Sequence, residues 1–372
     1  MNPEFAQQED AVAERSPAGV ARPKTPTSGG KSFTDSGNAG HLVQARGAEV
    51  NFSPNVFPRV VAFKFGGSSL LGAERMLHAA SLVYAATQAS GVTVVVSAMK
   101  GVTDRLLSLA HALVEGHLAH ARNDAEAVVI LHLDVLRELR LDQDAELRVQ
   151  RELQSLGCDL LHEVPSQGRV AASAELFDRL ASFGERFSAR LFAAGLGKSG
   201  VSAVPVASSD FVVTCDTFRD AQPHLEQTRE RGRAVLLPLL EAGIVPVVTG
   251  FIGATPDGRI TTLGRNSSDF SGALIAHIVD AAELVIWTDV DGIYTANPKE
   301  TIEARLLHQL SYDDAHALAA SGAKVLHAKV LPLAAETQMV VWVRNTFNPQ
   351  APGTRIGPPS DCSANLQLGG VA

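Results

Sequence analysis

Between Ile252 and Pro298 the chain reads GATPDGRITTLGRNSSDFSGALIAHIVDAAELVIWTDVDGIYTANP. A Gly/Ser/Asp turn opens a helix, a buried strand follows, and a second acidic, glycine-containing turn leaves that strand. This order recurs elsewhere. Val60–Phe65, Val92–Val96, Val201–Val206, Val245–Phe251, Leu284–Thr288 and Val340–Val343 read as short apolar strands. Helical periodicity fills Ala73–Ala86, Arg231–Ala242, Ser271–Ala282 and Asp313–Ala320. Strands that alternate with helices predict an α/β fold, with a largely parallel sheet covered on both faces.

From Thr103 to about Arg190 the periodicity is helical, with Leu106, Leu107, Ala110 and Leu113 at spacings of three and four. We read residues 59–357 as one large domain with a helical insertion at about 104–190. Residues 1–58 are rich in Gly, Ser, Pro, Ala and charge. Such a segment buries too little apolar surface to offset its ordering entropy, so a disordered extension is expected there. The tail over 358–372 is expected to be flexible.

Of the 372 residues 45% are hydrophobic, enough for a substantial core. The formal net charge of −8 argues against a nucleic-acid binder. Three cysteines, Cys158, Cys215 and Cys362, are widely spaced, which fits neither a disulfide framework nor a metal site. No apolar run reaches the roughly 18 residues of a membrane span, and the first residues lack a secretory core. A cytoplasmic protein is expected, and self-association into a homo-oligomer stays open.

In open α/β sheets ligands bind beyond the carboxyl ends of the strands, and four turns lie there. In Lys64-Phe65-Gly66-Gly67-Ser68-Ser69, paired glycines admit an anion close to the backbone, at the start of a helix. An ordinary strand–helix connection competes with that reading. Lys64 decides it, because a lysine in an apolar strand is costly without a partner anion. The turn from Ser97 to Asp104 offers substrate contacts, or Thr103 and Asp104 as helix caps. In Thr262-Leu263-Gly264-Arg265-Asn266-Ser267-Ser268-Asp269, Arg265 presents a fork for a carboxylate and the serines present hydroxyls at a helix start. Asp269 either caps that helix or orients a lysine. The acidic turn Thr288-Asp289-Val290-Asp291-Gly292 suits nucleotide contact or simple turn formation. The chain has no P-loop, no protein-kinase motif set and no G-x-S-x-G elbow.

KFGGSS, VVVSAMKGVTD, FGERFSARL, PVVTGFIG, TTLGRNSSDFSGALIA, IWTDVDGIYTANP, SGAKVLHAK and VRNTFNPQAPGT occur in this order. Together they closely resemble the catalytic domain of aspartate kinases, in the amino-acid kinase superfamily, from Val60 to about Ile356. The resemblance implies a three-layer αβα sandwich around a mainly parallel sheet of about eight strands. It implies transfer of phosphoryl from ATP, with Mg²⁺, to L-aspartate, the first step toward lysine, threonine and methionine.

On the same resemblance Lys64 meets the γ-phosphoryl group, Gly66, Gly67 and Ser68 line the phosphate turn, and Ser97 joins the ATP site. Thr103, Glu185, Arg265 and Ser268 hold aspartate, with Glu185 on its ammonium and Arg265 on its α-carboxylate. Phe251 and Thr262 are walls of that pocket, and Asp269 organises the lysines. Thr288, Asp289, Tyr294, Lys299 and Lys324 match nucleotide-binding positions. No residue is assigned to a metal. Two local departures stand out: GGSS for the usual GGTS, and Arg265-Asn266-Ser267-Ser268-Asp269 for the usual Arg-Gly-Gly-Ser-Asp. The chain also stops where such proteins usually continue into ACT regulatory domains, so no lysine or threonine feedback is expected. A weakly catalytic homologue that binds a partner, and a kinase for an aspartate analogue, are the competing readings.

Overall fold

The computed structural model describes residues 59–264, 267–296, 301–320, 326–327 and 329–358. The expectations for 1–58 and for the last fourteen residues lie outside the described residues. The strands are β1 Val60–Phe65, β2 Gly91–Val96, β3 Ala203–Val206, β4 Val245–Thr249, β5 Ile252–Ala254 and β6 Ile260–Thr262. They continue with β7 Glu283–Thr288, β8 Ile293–Tyr294, β9 Leu306–Leu307, β10 Gln309–Leu310, β11 Val340–Asn345 and β12 Thr354–Ile356. The first helices are α1 Ala73–Thr87, α2 Val102–Glu115, α3 Leu118–Leu139, α4 Gln143–His162, α5 Ala174–Ala181 and α6 Phe183–Lys198. The others are α7 Leu225–Glu241, α8 Ser268–Ile278, α9 Tyr312–Ala320 and α10 Val330–Glu336.

Eight strands form one sheet in the order β10-β12-β11-β7-β1-β2-β4-β3. All its pairings are parallel except that of β11 with β12. The chain lays β2, β4 and β3 on one side of β1, then crosses to place β7 on the other. The strand order therefore reverses at β1, and a crevice opens beyond its carboxyl end, where such sheets bind ligands.

Alternation along the strands assigns the two layers. Phe63, Phe65, Val94 and Val96 pack into one core with α1 to α6, and Ala62, Val95, Leu284 and Ile286 into another with α7, α8 and α10. Burial on both faces explains why these strands read as unbroken apolar runs. Trp287 lies in the first core at 1% exposure, its ring stacked on Phe65 at 6.2 Å.

Several boundaries move from expectation. Helix α7 begins at Leu225 rather than Arg231, because its polar first turns have no apolar stripe to announce them. The third strand covers only Ala203–Val206. The run expected to end at Phe251 breaks after Thr249, where Phe251 turns the chain at φ +68°. The hairpin of β5 and β6, the short β8, β9, β10 and β12, and α10 are too brief for periodicity to declare. No helix among the described residues is long and apolar enough to cross a membrane.

Candidate active site

Lys64 is the fifth residue of β1 and points toward the α8 layer. A Cβ on Gly272 would lie 3.1 Å from the Lys64 Cβ, so glycine there lets α8 settle onto the lysine stem. One turn earlier on the same helix, Asp269 Oδ1 stands 2.7 Å from the Lys64 ammonium. Lys64 is 8% exposed, and a cation that deep needs such a counter-charge. Asp269 occupies the first turn of α8 without acting as its cap.

Beyond β1, Gly67–Leu70 forms a 3-10 turn, and the chain breaks at Gly72, φ +84°, before α1 starts. The helix starts at Ala73, where the periodicity placed it, but the amide cradle before it is one tight turn, separate from α1 and not the start of that helix. Its position is fixed by close backbone approach. A Cβ on Gly67 would come 2.6 Å from the Ala98 carbonyl oxygen, and Lys100 donates its N–H to the Gly67 oxygen at 3.2 Å. The Gly66 N–H donates to the Trp287 oxygen at 3.2 Å. Ser69 meets Thr346 hydroxyl to hydroxyl at 2.7 Å, tying the turn to the end of β11.

After β2, Ser97 to Gly101 leads into α2, whose N-terminal flank is Gly101 at φ +87° with no side-chain cap. Neither Thr103 nor Asp104 caps the helix; a glycine in the left-handed region makes the sharp entry instead. Both residues face the cleft. Opposite them α6 opens with Gly184-Glu185. A Cβ on Gly184 would sit 2.6 Å from the Ala98 Cβ, and this contact brings Glu185 Oε1 within 3.0 Å of the Ala98 N–H. Glu185 is 3% exposed, and its Oε2 is buried without a partner. Burial pushes its carboxyl from 4.5 up to about 8, against the opposing pull of the Ala98 amide, its own amide and Lys64.

The fourth wall comes from the segments around β5 and β6. Phe251 adopts φ +68°, a conformation that costs a side-chain-bearing residue about 1–2 kcal/mol. It is held there by its N–H on Ser271 Oγ at 2.7 Å and its carbonyl accepting from Leu263 N–H at 2.9 Å. Ser268, the first residue of α8, lines the same cleft. Ser267 takes φ −79° with its hydroxyl buried and unpartnered, so a serine in place of the usual glycine needs no left-handed backbone.

One open cleft of about 420 Å³ thus gathers Lys64, Gly67, Ser97, Thr103, Glu185, Phe251, Ser268 and Asp269. Thr262 does not line it: its hydroxyl donates to Asp178 Oδ1 at 2.7 Å, behind the wall. Gly66 and Ser68 belong to the turn at its edge. Thr288 ends β7, and Asp289 and Tyr294 follow it, on the other side of β1. There Thr346 donates its N–H to the Thr288 oxygen at 2.8 Å, and Asn345 donates to Asp291 at 2.7 Å. Arg265, Lys299 and Lys324 lie outside the described residues.

Three residues of this neighbourhood escaped the sequence reading. Lys100 lines the cleft beside Gly67 and has no ion-pair partner among the described residues. Lys329 reaches Asp220 at 2.7 Å and lies 5.9 Å above the Phe270 ring. Asp178 is 2% exposed. It had a visible signal, a carboxylate on the otherwise apolar face of a short helix formed by Leu176, Phe177, Leu180 and Ala181.

A model of the amino acid kinase family matches residues 59–345. Lysine-sensitive aspartokinase 3 of Escherichia coli is 33% identical over 297 residues, which make up 80% of this chain and 64% of that protein. Chloroplastic aspartokinase 1 of Arabidopsis thaliana is 34% identical over 310 residues, 82% of this chain and 53% of that protein. A solved structure of E. coli aspartokinase III in complex with aspartate and ADP aligns with a TM-score of 0.71 at 31% identity. That alignment covers 81% of this chain and 65% of the other. The chain therefore spans between half and two thirds of the length of these relatives. With the mainly parallel eight-stranded sheet and the match over 59–345, the chain belongs to the amino acid kinase family.

Proposed function

We propose that this chain transfers the γ-phosphoryl group of ATP to the side-chain carboxylate of L-aspartate, giving 4-phospho-L-aspartate and ADP. The observation that carries the reading is the cleft itself. A lysine held by a carboxylate and a buried glutamate with a free oxygen face one gap at the point where the strand order reverses. The similarity to aspartokinases, one of them solved with aspartate and ADP, supports the choice of substrates.

In this reading Glu185 takes the ammonium of aspartate and Arg265 its α-carboxylate, while Thr103, Phe251 and Ser268 shape the pocket and Thr262 stands behind its wall. Gly66, Gly67, Ser68 and Ser97 approach the phosphates. Thr288, Asp289, Tyr294, Lys299 and Lys324 serve the nucleotide. A side-chain oxygen of aspartate forms a bond to the γ-phosphorus as the bond from that phosphorus to the β-bridging oxygen breaks. The nucleophile is ionised at neutral pH, since its carboxyl titrates near about 4, so no general base is needed. Lys64, steadied by Asp269, screens the repulsion of the two anions, and positioning supplies the rest. Among the described residues no three His, Cys, Asp or Glu side chains could jointly hold a metal ion. Mg²⁺ would be held mostly by nucleotide oxygens and waters, and would neutralise charge on the triphosphate.

Residues 59–357 are the proposed catalytic domain, with the insertion at about 104–190, working in the cytoplasm at the entry to lysine, threonine and methionine synthesis. An ATP-dependent hydroxamate assay with aspartate, glutamate, N-acetylglutamate and 3-substituted aspartates tests the reading. Trapping from aspartate alone is expected. Trapping only from a 3-substituted aspartate would favour an analogue kinase, and none at all would favour a binding role. The finer expectation, turnover indifferent to lysine and threonine, fails if either amino acid inhibits saturably.

A further inference from the structure

Helix α5 carries a buried carboxylate that stands behind the cleft and touches no part of it. Asp178 Oδ2 accepts the Arg219 N–H and the Thr262 N–H, each at 2.8 Å, and Oδ1 accepts the Thr262 hydroxyl at 2.7 Å. Three donors from two separate segments thus converge on one side chain that is 2% exposed.

Both segments need holding. Arg219 sits at φ +71°, unfavourable for a residue with a side chain, with its guanidinium 5.1 Å from the Phe177 ring beside Asp178. Thr262 closes β6, and its carbonyl accepts the Ala221 N–H at 2.9 Å. The next residue, Leu263, donates to Phe251, a cleft wall, and Gly264 follows at φ +101° against Asp220. In the other direction α5 passes at Ser182 straight into α6, which presents Glu185 seven residues after Asp178.

We propose that Asp178 is a positioning residue that fixes the spacing between two walls of the amino-acid site, the α6 segment with Glu185 and the residues entering the β6–α8 turn, where Leu263 holds Phe251. This rests on the reading of that site given above. No other buried side-chain hydrogen bond of this kind joins α5 to the residues leading into that turn, among the described residues. The phosphate turn is braced through Lys100, Trp287 and Thr346, none of which bonds to Asp178. Loss of Asp178 should therefore loosen the grip on aspartate and leave the nucleotide side alone.

The requirement is for acceptor geometry rather than for charge. An asparagine can turn its carbonyl oxygen to the two amides and donate its NH₂ to the Thr262 oxygen, keeping all three contacts. Asp178→Ala leaves all three donors without their acceptor.

Steady-state kinetics and amide hydrogen exchange on the wild type, Asp178→Ala, Asp178→Asn and Thr262→Val test the proposal. Asp178→Ala should raise the KM for aspartate by on the order of 10- to 100-fold, as expected for misplacement of a binding group, with the KM for ATP changed less than about threefold. Asp178→Asn should stay within about threefold of wild type in both. Amides of Arg219 and Thr262 should lose protection in Asp178→Ala and keep it in Asp178→Asn. Should Asp178→Ala fail to fold, Thr262→Val, which removes one contact of three, should still raise the aspartate KM selectively. Equal rises in both KM values, an Asp178→Asn as impaired as Asp178→Ala, or unchanged exchange would overturn the proposal. Wild-type protein that does not phosphorylate aspartate would instead overturn the functional reading, and the exchange data would then decide the clamp alone.

Discussion

Glu185 makes aspartate binding dependent on pH in a direction opposite to folding. Its carboxyl is pushed from 4.5 to about 8 by burial, so at pH 7 the empty cleft holds it about nine-tenths protonated. An ammonium that docks on the unpartnered Oε2 needs the ionised form. Binding at pH 7 should then release about 0.9 proton, and affinity should rise about tenfold per pH unit from 6 to 7.5. The folded protein meanwhile prefers the neutral carboxyl by about 5 kcal/mol. Because the folded value is the raised one, that contribution is complete below pH 4.5, declines as pH rises, and is gone above about 8. Glu185→Gln keeps the shape, abolishes both dependences and weakens aspartate binding about 10- to 100-fold, the worth of one charge-assisted hydrogen bond. Calorimetric titration with aspartate in buffers of different ionisation enthalpy reads the proton directly. An enthalpy that ignores the buffer, or the same pH slope in Glu185→Gln, would refute the reasoning.

Lys64→Met should lower hydroxamate formation by on the order of 10³-fold, since a preorganised charge at the transferring group is lost; a rate within tenfold of wild type would exclude Lys64 from the chemistry. Gly67→Ala places a methyl 2.6 Å from a backbone oxygen, and should cost about 1–3 kcal/mol in urea unfolding through overpacking of two turns. Ser267→Gly should change turnover by less than about threefold, because Ser267 already sits at φ −79°. A tenfold gain would mean that the serine does strain the site.

How much of this was legible beforehand depended on the physical signal at each position. The sheet strands announced themselves because burial on both faces demands unbroken apolar runs, as in Val60–Phe65 and Glu283–Thr288. Lys64 stood out for the same reason, as a charge where the strand forbids one. The start of α8 was missed by three residues, since Ser268-Asp269-Phe270 looks like loop composition, yet that turn supplies the partner of Lys64. The 3-10 turn after Gly66 could not be told from an α-helical start, because both place amides toward an anion and differ only in backbone geometry. Thr262 was read as a pocket wall; its hydroxyl turns away because Asp178, distant in sequence, captures it. Long-range pairings of that sort, like Ala98 with Glu185, leave no local periodicity to read. The glycines at Gly67, Gly184 and Gly272 were the nearest hint, each marking a close approach.

The most direct test of phosphoryl transfer inside this cleft follows an oxygen atom. Aspartate labelled with ¹⁸O in its side-chain carboxylate is incubated with ATP, Mg²⁺ and hydroxylamine, and the released inorganic phosphate is weighed by mass spectrometry. Attack by that carboxylate on the γ-phosphorus leaves one labelled oxygen on each phosphate when hydroxylamine takes the acyl group. Phosphate carrying no label would mean that water, and not aspartate, had met the triphosphate.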